Sequence, residues 1–314
     1  MNGVIRIGTR SSQLAQWQAN QVKQLLEKAG HNSEIVLIEA TGDQDTTKPL
    51  HLLGTTGLFT KTLDDAMLRG EIDIAVHSLK DVPTDLHPEI CQAAVLERGE
   101  VHDVLIYTDE SPEFLRESDS NATIATGSLR RKAQWLARYP KHTAVPLRGN
   151  VNTRLRKLEE NNWQGAIFAK AGLNRIGLLP EKHIVLKWMI PAPAQGAIMV
   201  TALKKDEETR RICQSLNHGP TAICVDIERQ FMKILEGGCT APIGARAKIS
   251  GNKVKFKGGV FSLNGVDKVI VHEKIKLEDA YNFGEVMANQ VLRKGGKSLI
   301  EKIKKEIEAE QSNE

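Results

Sequence analysis

Apolar positions follow two rhythms along this chain. Residues 3–8 (GVIRIG) alternate, which predicts a strand, and Leu14, Trp17, Val22, Leu25 and Ala29 then fall near helical spacing. Ser11 or Ser12 caps that helix and Gly30 ends it. Residues 34–40 (EIVLIEA) read as a second strand, 41–57 as a polar loop, and 58–69 as a helix closed by Gly70. The third strand, 72–77 (IDIAVH), runs into Ser78-Leu79-Lys80-Asp81-Val82-Pro83. The pattern then restarts. Strands are expected at 123–126, 143–147 and 165–169, with helices at 129–138, capped by Ser128, and at 151–161. Strands alternating with helices mean βαβ units and a mostly parallel sheet, here twice over. Residues 197–203 (AIMVTAL) give one more strand and 205–216 a polar helix.

From residue 219 the style changes. A helix near 221–235 leads to Gly237-Gly238-Cys239, and strands follow near 243–250, 253–262 and 267–276, then a helix from Glu278. This predicts a small α+β domain with an antiparallel sheet. The expected division is a first α/β lobe from 1–99 with 197–217, a second from 100–196, and a third domain from 218–314. The basic run Arg293 to Lys305 has helical spacing and reads as a solvated terminal helix, with 306–314 frayed.

In 314 residues, 40% are hydrophobic and 26% charged, as in ordinary soluble globular proteins. No run of about 18 apolar residues offers a transmembrane helix, and the N-terminus lacks an apolar signal core. Aromatics are only 4%, which disfavours a single-strand nucleic-acid binder built on stacking platforms. The four cysteines (91, 213, 224, 239) form no CxxC pair, which fits a reducing cytoplasm and argues against a zinc cluster or a disulfide framework. The histidines show no metal-ligand spacing, so no metal is expected. Neither GxxxxGK[ST] nor a GxGxxG after a strand occurs.

Net charge is +4, unevenly spread: between Arg130 and Arg175 stand eleven Lys/Arg and two acids. Such an excess points to an anionic partner or to a solvated basic face. The polar motifs fall where open α/β sheets bind ligands, beyond the carboxyl ends of strands: Thr9 to Ser12, His77 to Asp81, Gly127 to Arg131, and Arg148 to Asn150. Ser12 and Ser128 also mark helix N-termini, where free N–H groups favour anions. Asp81 reads as an acid, a base or a cation stabiliser, or as a turn carboxylate beside Lys80. Cys239, between two glycines and Pro242, reads as an exposed nucleophile or tether, or as an inert turn thiol. His77 and the other three cysteines read as core residues.

Residues 72–83 (IDIAVHSLKDVP), 127–131 (GSLRR), 147–154 (LRGNVNTR), 171–177 (AGLNRIG) and 237–244 (GGCTAPIG), with the opening RIGTRSSQLAQWQ, resemble the porphobilinogen deaminase (hydroxymethylbilane synthase) family. The matches keep their order from about residue 5 to 250. The resemblance implies two doubly wound lobes like those of periplasmic binding proteins, with a third domain bearing a cofactor. It implies a transferase that joins four porphobilinogen molecules head to tail, releases four ammonia and hydrolyses off the linear tetrapyrrole hydroxymethylbilane for haem biosynthesis. The reaction is primed on a dipyrromethane held by a thioether, here to Cys239. Asp81 would stabilise the positive charge that develops as ammonia leaves. Lys80, Ser128, Arg130, Arg131, Arg148 and Arg154 match cofactor-binding positions. Arg10, Ser12, Gln18, Phe59, Arg148, Arg154 and Arg175 match substrate-binding ones. Each pyrrole carries an acetate and a propionate, so bidentate Arg contacts would orient the chain and offset carboxylate repulsion. Asp81 among these cations is favoured in its charged form. The expected partners are porphobilinogen and the growing polypyrrole, with no nucleic acid and no membrane, in a cytoplasmic monomer. Three positions depart from the family pattern: Thr55-Thr56 stand in a loop that often carries basic residues, Ala194 stands for the usual Gly, and Gly127 for the common Ser. A reversible anion-binding module and a nucleic-acid binder using the 130–175 segment are the competing readings.

Overall fold

The computed structural model describes residues 3–39, 60–116, 120–235 and 241–312. In chain order the elements are β1 (Ile5–Thr9), α1 (Gln13–Lys28), β2 (Ser33–Leu37), α2 (Lys61–Leu68), β3 (Ile74–Ser78), β4 (Ile90–Val95) and β5 (Asp103–Tyr107). Next come β6 (Thr123–Ala125), α3 (Leu129–Arg138), β7 (Thr143–Val145), α4 (Val151–Glu160), β8 (Gly165–Ala169), α5 (Lys170–Arg175) and β9 (His183–Val185). The chain continues through β10 (Ile198–Leu203), α6 (Glu207–Gln214), α7 (Gly219–Ile234), β11 (Ile243–Ser250), β12 (Lys253–Phe261), β13 (Lys268–Lys276), α8 (Phe283–Val291) and α9 (Lys297–Ser312).

Three sheets organise these elements. The first has the order β2-β1-β3-β10-β4 and the second β7-β6-β8-β5-β9. Both repeat one plan. Three strands run parallel, as the βαβ rhythm predicts. The fourth, β10 or β5, is antiparallel to both of its neighbours. The first lobe therefore receives β10 from a returning crossover, β5 opens the second, and the sheets are mixed rather than parallel throughout. β4, β5, β9 and α5 lie outside the periodicity read from the sequence. Their apolar runs are short, and β5 is buried on both faces, so no alternation marks it.

The local signals that did read through have visible causes. The Ser12 side chain accepts from the Ala15 N–H at the start of α1, and Ser128 accepts from Arg131 N–H at the start of α3. On one face of the first sheet Ile5, Ile7, Ile74 and Val76 pack against Ala19, Val22 and Leu26 of α1. The other face buries Ala75 and Ile90 under Leu63 and Met67 of α2. In the second lobe Trp135 of α3 is fully buried against Leu105, Ile124 and Ile167.

The third sheet is the antiparallel meander β11-β12-β13, as expected. Its apolar face, with Ile243, Ala245, Val254 and Phe256, packs on Ile227 and Phe231 of α7 and on Phe283 and Met287 of α8. Two expectations change here. The helix expected from Glu278 is only a single turn at Leu277–Asp279, and α8 begins at Phe283. The terminal basic helix is not wholly solvated. After a kink at Leu292–Gly296, where Gly295 takes φ 99°, α9 buries Leu299, Ile300, Ile303 and Ile307 in this core and stays helical to Ser312.

Candidate active site

A cleft of about 560 Å³ opens beyond the carboxyl ends of the parallel strands of both lobes. From the first lobe come Arg10 and Ser12 after β1, and Ser78, Lys80 and Asp81 at the end of β3. From the second come Arg131, Arg148, Arg154 and Arg175. Gln195 to Ala197, on the crossover into β10, line it from between the lobes. The lobes touch across it: Asn152 Nδ2 donates to Gln13 Oε1 at 3.1 Å, and the Arg175 guanidinium lies 5.6 Å from the centre of the Trp17 ring.

Six cations thus share the cleft with one acid. Among the described lining residues Asp81 is the sole carboxylate. It ends a short 3-10 turn, Leu79–Asp81, whose buried Leu79 donates its N–H to Ala197 O at 3.0 Å, and the Asp81 side chain is exposed. Burial registers in the protonation of the cations. Burial lowers Lys80 to about 8, partly offset by Asp81 and reinforced by Arg131. Burial and then the charges of Arg131 and Arg148 lower Arg154 to about 10, with Asp81 opposing. Burial alone takes Arg175 to about 10. All three remain cationic at neutral pH, short of compensating negative charge. Bound carboxylates would supply it.

Not every cation of the basic segment faces this space. Asp103, at the start of β5, has no exposed surface, and it accepts from Arg130 Nη1 at 2.7 Å, Arg131 Nε at 2.9 Å and Gln195 Nε2 at 3.0 Å. Burial would raise its carboxyl, but the two guanidinium charges outweigh that and hold it below the usual carboxylate range. Arg130 is 4% exposed, gives a further hydrogen bond to Ile190 O, and does not line the cleft. Arg131 is bound by Asp103 yet still reaches the cleft wall. Gln18 is also set back: it is buried and holds Ser78 Oγ at 2.8 Å, placing that hydroxyl rather than lining the space itself. Ser128 is engaged as the α3 cap and is absent from the lining. Phe59 and Cys239 lie outside the described residues. His77 is core, as expected: it is buried beside Thr201, and burial followed by the Arg10 charge lowers it to about 4.

Sequence reasoning passed over Asp103, Glu228 and Arg229. Glu228 of α7 is fully buried and ties three segments together. Its carboxylate accepts from Arg98 Nη1 at 2.7 Å and Nη2 at 2.9 Å, from Ala194 N–H at 2.7 Å and from Ala247 N–H at 2.7 Å. Arg98 and Ala194 belong to the two crossovers and Ala247 to β11, so one carboxylate fixes the third domain to both connections between the lobes. Nothing local in sequence marks these residues, because their partners lie far along the chain.

Residues 5–211 match the family model described as porphobilinogen deaminase, dipyromethane cofactor binding domain, and 222–293 match the porphobilinogen deaminase C-terminal domain. The porphobilinogen deaminase of Trichlorobacter lovleyi is 40% identical over 305 residues, covering 95% of this chain and 96% of its own. That of Syntrophomonas wolfei is 38% identical over 300 residues, covering 94% and 97%. Among solved structures, the Bordetella pertussis BvgS VFT2 domain aligns with 68% of this chain and 86% of its own at 13% identity, with a TM-score of 0.40.

Proposed function

Because the chain belongs to the porphobilinogen deaminase family, we propose that Asp81 is the carboxylate at the centre of its reaction and that Cys239 tethers the dipyrromethane on which that reaction is primed. The chain is an enzyme, a transferase of the hydroxymethylbilane synthase type, with a dipyrromethane cofactor-binding domain. The single observation that carries the residue roles is the charge inventory of the cleft: among the described lining residues, Arg10, Lys80, Arg131, Arg148, Arg154 and Arg175 stand with one acid, Asp81.

That donor set fits the cofactor. Planar guanidinium forks suit carboxylates, and among the described lining residues the buried cations Lys80, Arg154 and Arg175 share the cleft with a single carboxylate. When bound, dipyrromethane supplies the free end to which porphobilinogen units are joined. Lys80, Arg131, Arg148 and Arg154 hold its acetate and propionate groups, while Arg130 and Ser128 act from behind through Asp103 and the start of α3. Arg10, Ser12, Phe59 and Arg175 receive the incoming porphobilinogen, with Arg148 and Arg154 shared between the two and Gln18 setting Ser78. Asp81 stabilises the positive charge that grows on porphobilinogen as ammonia departs, because an exposed carboxylate at this point of the cleft meets the substrate directly. The cations fix the orientation of the reacting rings, which lowers the entropic part of the barrier.

The domain boundaries that suit this are 1–99 with 197–217, 100–196 and 218–314. The spacing of the four cysteines supports a cytoplasmic setting. No helix among the described residues is long and apolar enough to cross a membrane. Most arginines of the basic segment turn into the cleft or onto Asp103, while Arg138 lies over the Trp188 ring and the exposed Arg156 pairs with Glu160, which leaves little of the segment to bind nucleic acid.

Intact-mass measurement with peptide fragmentation tests the assignment. An adduct of two pyrrole units on Cys239, lost in Cys239→Ser, is the expected result, together with an Asp81→Ala variant that keeps the adduct and loses nearly all turnover. Near-normal turnover in Asp81→Ala refutes the role given to Asp81, and an adduct surviving in Cys239→Ser moves the tether elsewhere.

A further inference from the structure

Two neighbouring charges on α7 point in different directions. Glu228 faces the crossovers, whereas Arg229 turns to the first lobe. Arg229 Nη1 donates to Val82 O at 3.0 Å, and its Nη2 donates to Pro83 O at 2.6 Å and Thr84 O at 3.4 Å. One turn further along, Lys233 Nζ pairs with Asp85 Oδ1 at 2.5 Å. Earlier on the same stripe, Val225 and Ala222 pack with Leu79, Val82 and Leu86. The stretch that follows Asp81 is therefore held by one face of a helix from another domain.

We propose that Arg229 is a positioning residue for Asp81. It gathers the three consecutive carbonyls after Asp81 and so fixes that carboxylate relative to α7. This rests on the role given to Asp81 above and extends it. Within its own lobe the chain after Asp81 is held by the packing of Val82 against Leu79, Val95 and Met199. Its turn is closed by Val82 N–H donating to Leu79 O at 3.2 Å, and Pro83 has no N–H to give. The segment 82–84 belongs to no strand or helix. Meanwhile α7 ends at Ile234, five residues before Cys239. Asp81 and the proposed tether thus lie on different domains, and the Arg229 guanidinium is a short mechanical link between them. A reacting group displaced by about 1 Å loses on the order of 100-fold in rate.

A role confined to holding the fold together makes different predictions. The three hydrogen bonds of Arg229 are part-buried, and Pro83 and Thr84 are half-exposed, so water can take the donor's place at those two carbonyls. The packing of Leu79 and Val82 on Val225 survives its loss. Removing the guanidinium therefore leaves the loop attached but free to shift.

The test uses the full chain with its cofactor attached and compares Arg229→Met and Arg229→Lys with wild type. The expected result for Arg229→Met is an unchanged adduct mass, a KM for porphobilinogen close to wild type, and a kcat reduced about 10- to 100-fold. Arg229→Lys, whose ammonium reaches one carbonyl in place of three, recovers part of that loss. In an Asp81→Ala background Arg229→Met lowers the residual rate no further, since residues acting through one group are non-additive. If Arg229→Met does not fold, the same cycle is run with Arg229→Lys. A fully active Arg229 variant beside an inactive Asp81→Ala overturns this inference alone, as does an additive loss in the double variant. Near-normal turnover by Asp81→Ala overturns the earlier reading and this one with it.

Discussion

Lys80 should be a stabilising site to mutate, and its effect should fade with pH. The side chain sits in the cleft with burial lowering it from 10.5 to about 8. At 1.36 kcal/mol per decade the difference amounts to roughly 3 kcal/mol against folding; partial exposure of the side chain reduces this to about 1–2 kcal/mol. The sign follows from proton binding. Below pH 8 both folded and unfolded chains hold the proton, and the cost is present in full. Between about 8 and 10.5 the folded chain releases it first, so wild-type stability rises with pH across that window. Lys80→Met removes the charge and keeps the length. Urea unfolding of the two chains, both carrying Cys239→Ser so that no tethered anion offsets the charge, should show the methionine chain more stable by about 1–2 kcal/mol at pH 7. The gap should narrow steadily to pH 9.5. With the cofactor attached, the same substitution should weaken cofactor assembly, because the lysine then has carboxylates to meet. A wild-type chain that is the more stable at pH 7, or a gap that does not change with pH, refutes the reasoning.

Ala194 holds φ 59°, a left-handed conformation that disfavours any Cβ, so Ala194→Gly should raise stability by up to about 1 kcal/mol, read as a higher urea midpoint with unchanged turnover. Asp103→Asn leaves Arg130 and Arg131 buried without a counter-charge and should lose about 3–5 kcal/mol in the same assay. Burial pushes the Cys213 thiol up to about 12 and also raises Cys224, so native protein at pH 8 should resist iodoacetamide at both, with labelling appearing only in denaturant. Mass mapping of the alkylated peptides checks it.

Much of this architecture was legible because its signals are local. Ser128 before Leu-Arg-Arg caps α3 as expected, and the hairpin strands of the third domain alternate clearly enough that β11 matches its expected span residue for residue. Arg10, Lys80, Arg131 and Arg148 were legible for another reason: each belongs to a motif after a strand end, whereas Arg154 on α4 and Arg175 at the end of α5 were marked only by the family resemblance. The misses share a cause too. β5 and β10 run antiparallel to their neighbours, and direction depends on partners from distant parts of the chain. Arg130 and Arg131 are adjacent in sequence and equivalent in composition, yet one turns to Ile190 and Asp103 while the other reaches the cleft. Gln18, expected at the substrate, is buried on α1 with its amide on Ser78 Oγ, a placement that depends on a residue sixty positions away. The terminal helix was misjudged because its charged residues outnumber the four aliphatic residues that anchor it.

The borrowed strand β10 also sets a timetable for biosynthesis. Its slot lies between β3 and β4, but about a hundred residues, including the whole second sheet, are translated between β4 and β10. At about 5–20 residues per second, a ribosome leaves the nascent first lobe with a missing central strand for roughly 5–20 seconds. During that interval the facing edges of β3 and β4 carry unpaired backbone groups, the kind of edge to which other chains add. The second lobe has its inserted strand, β5, in hand before the rest of its sheet is made, so it can close as it emerges. The half synthesised first is thus the half completed last, and nascent-chain protection by chaperones should matter most before residue 203 leaves the exit tunnel.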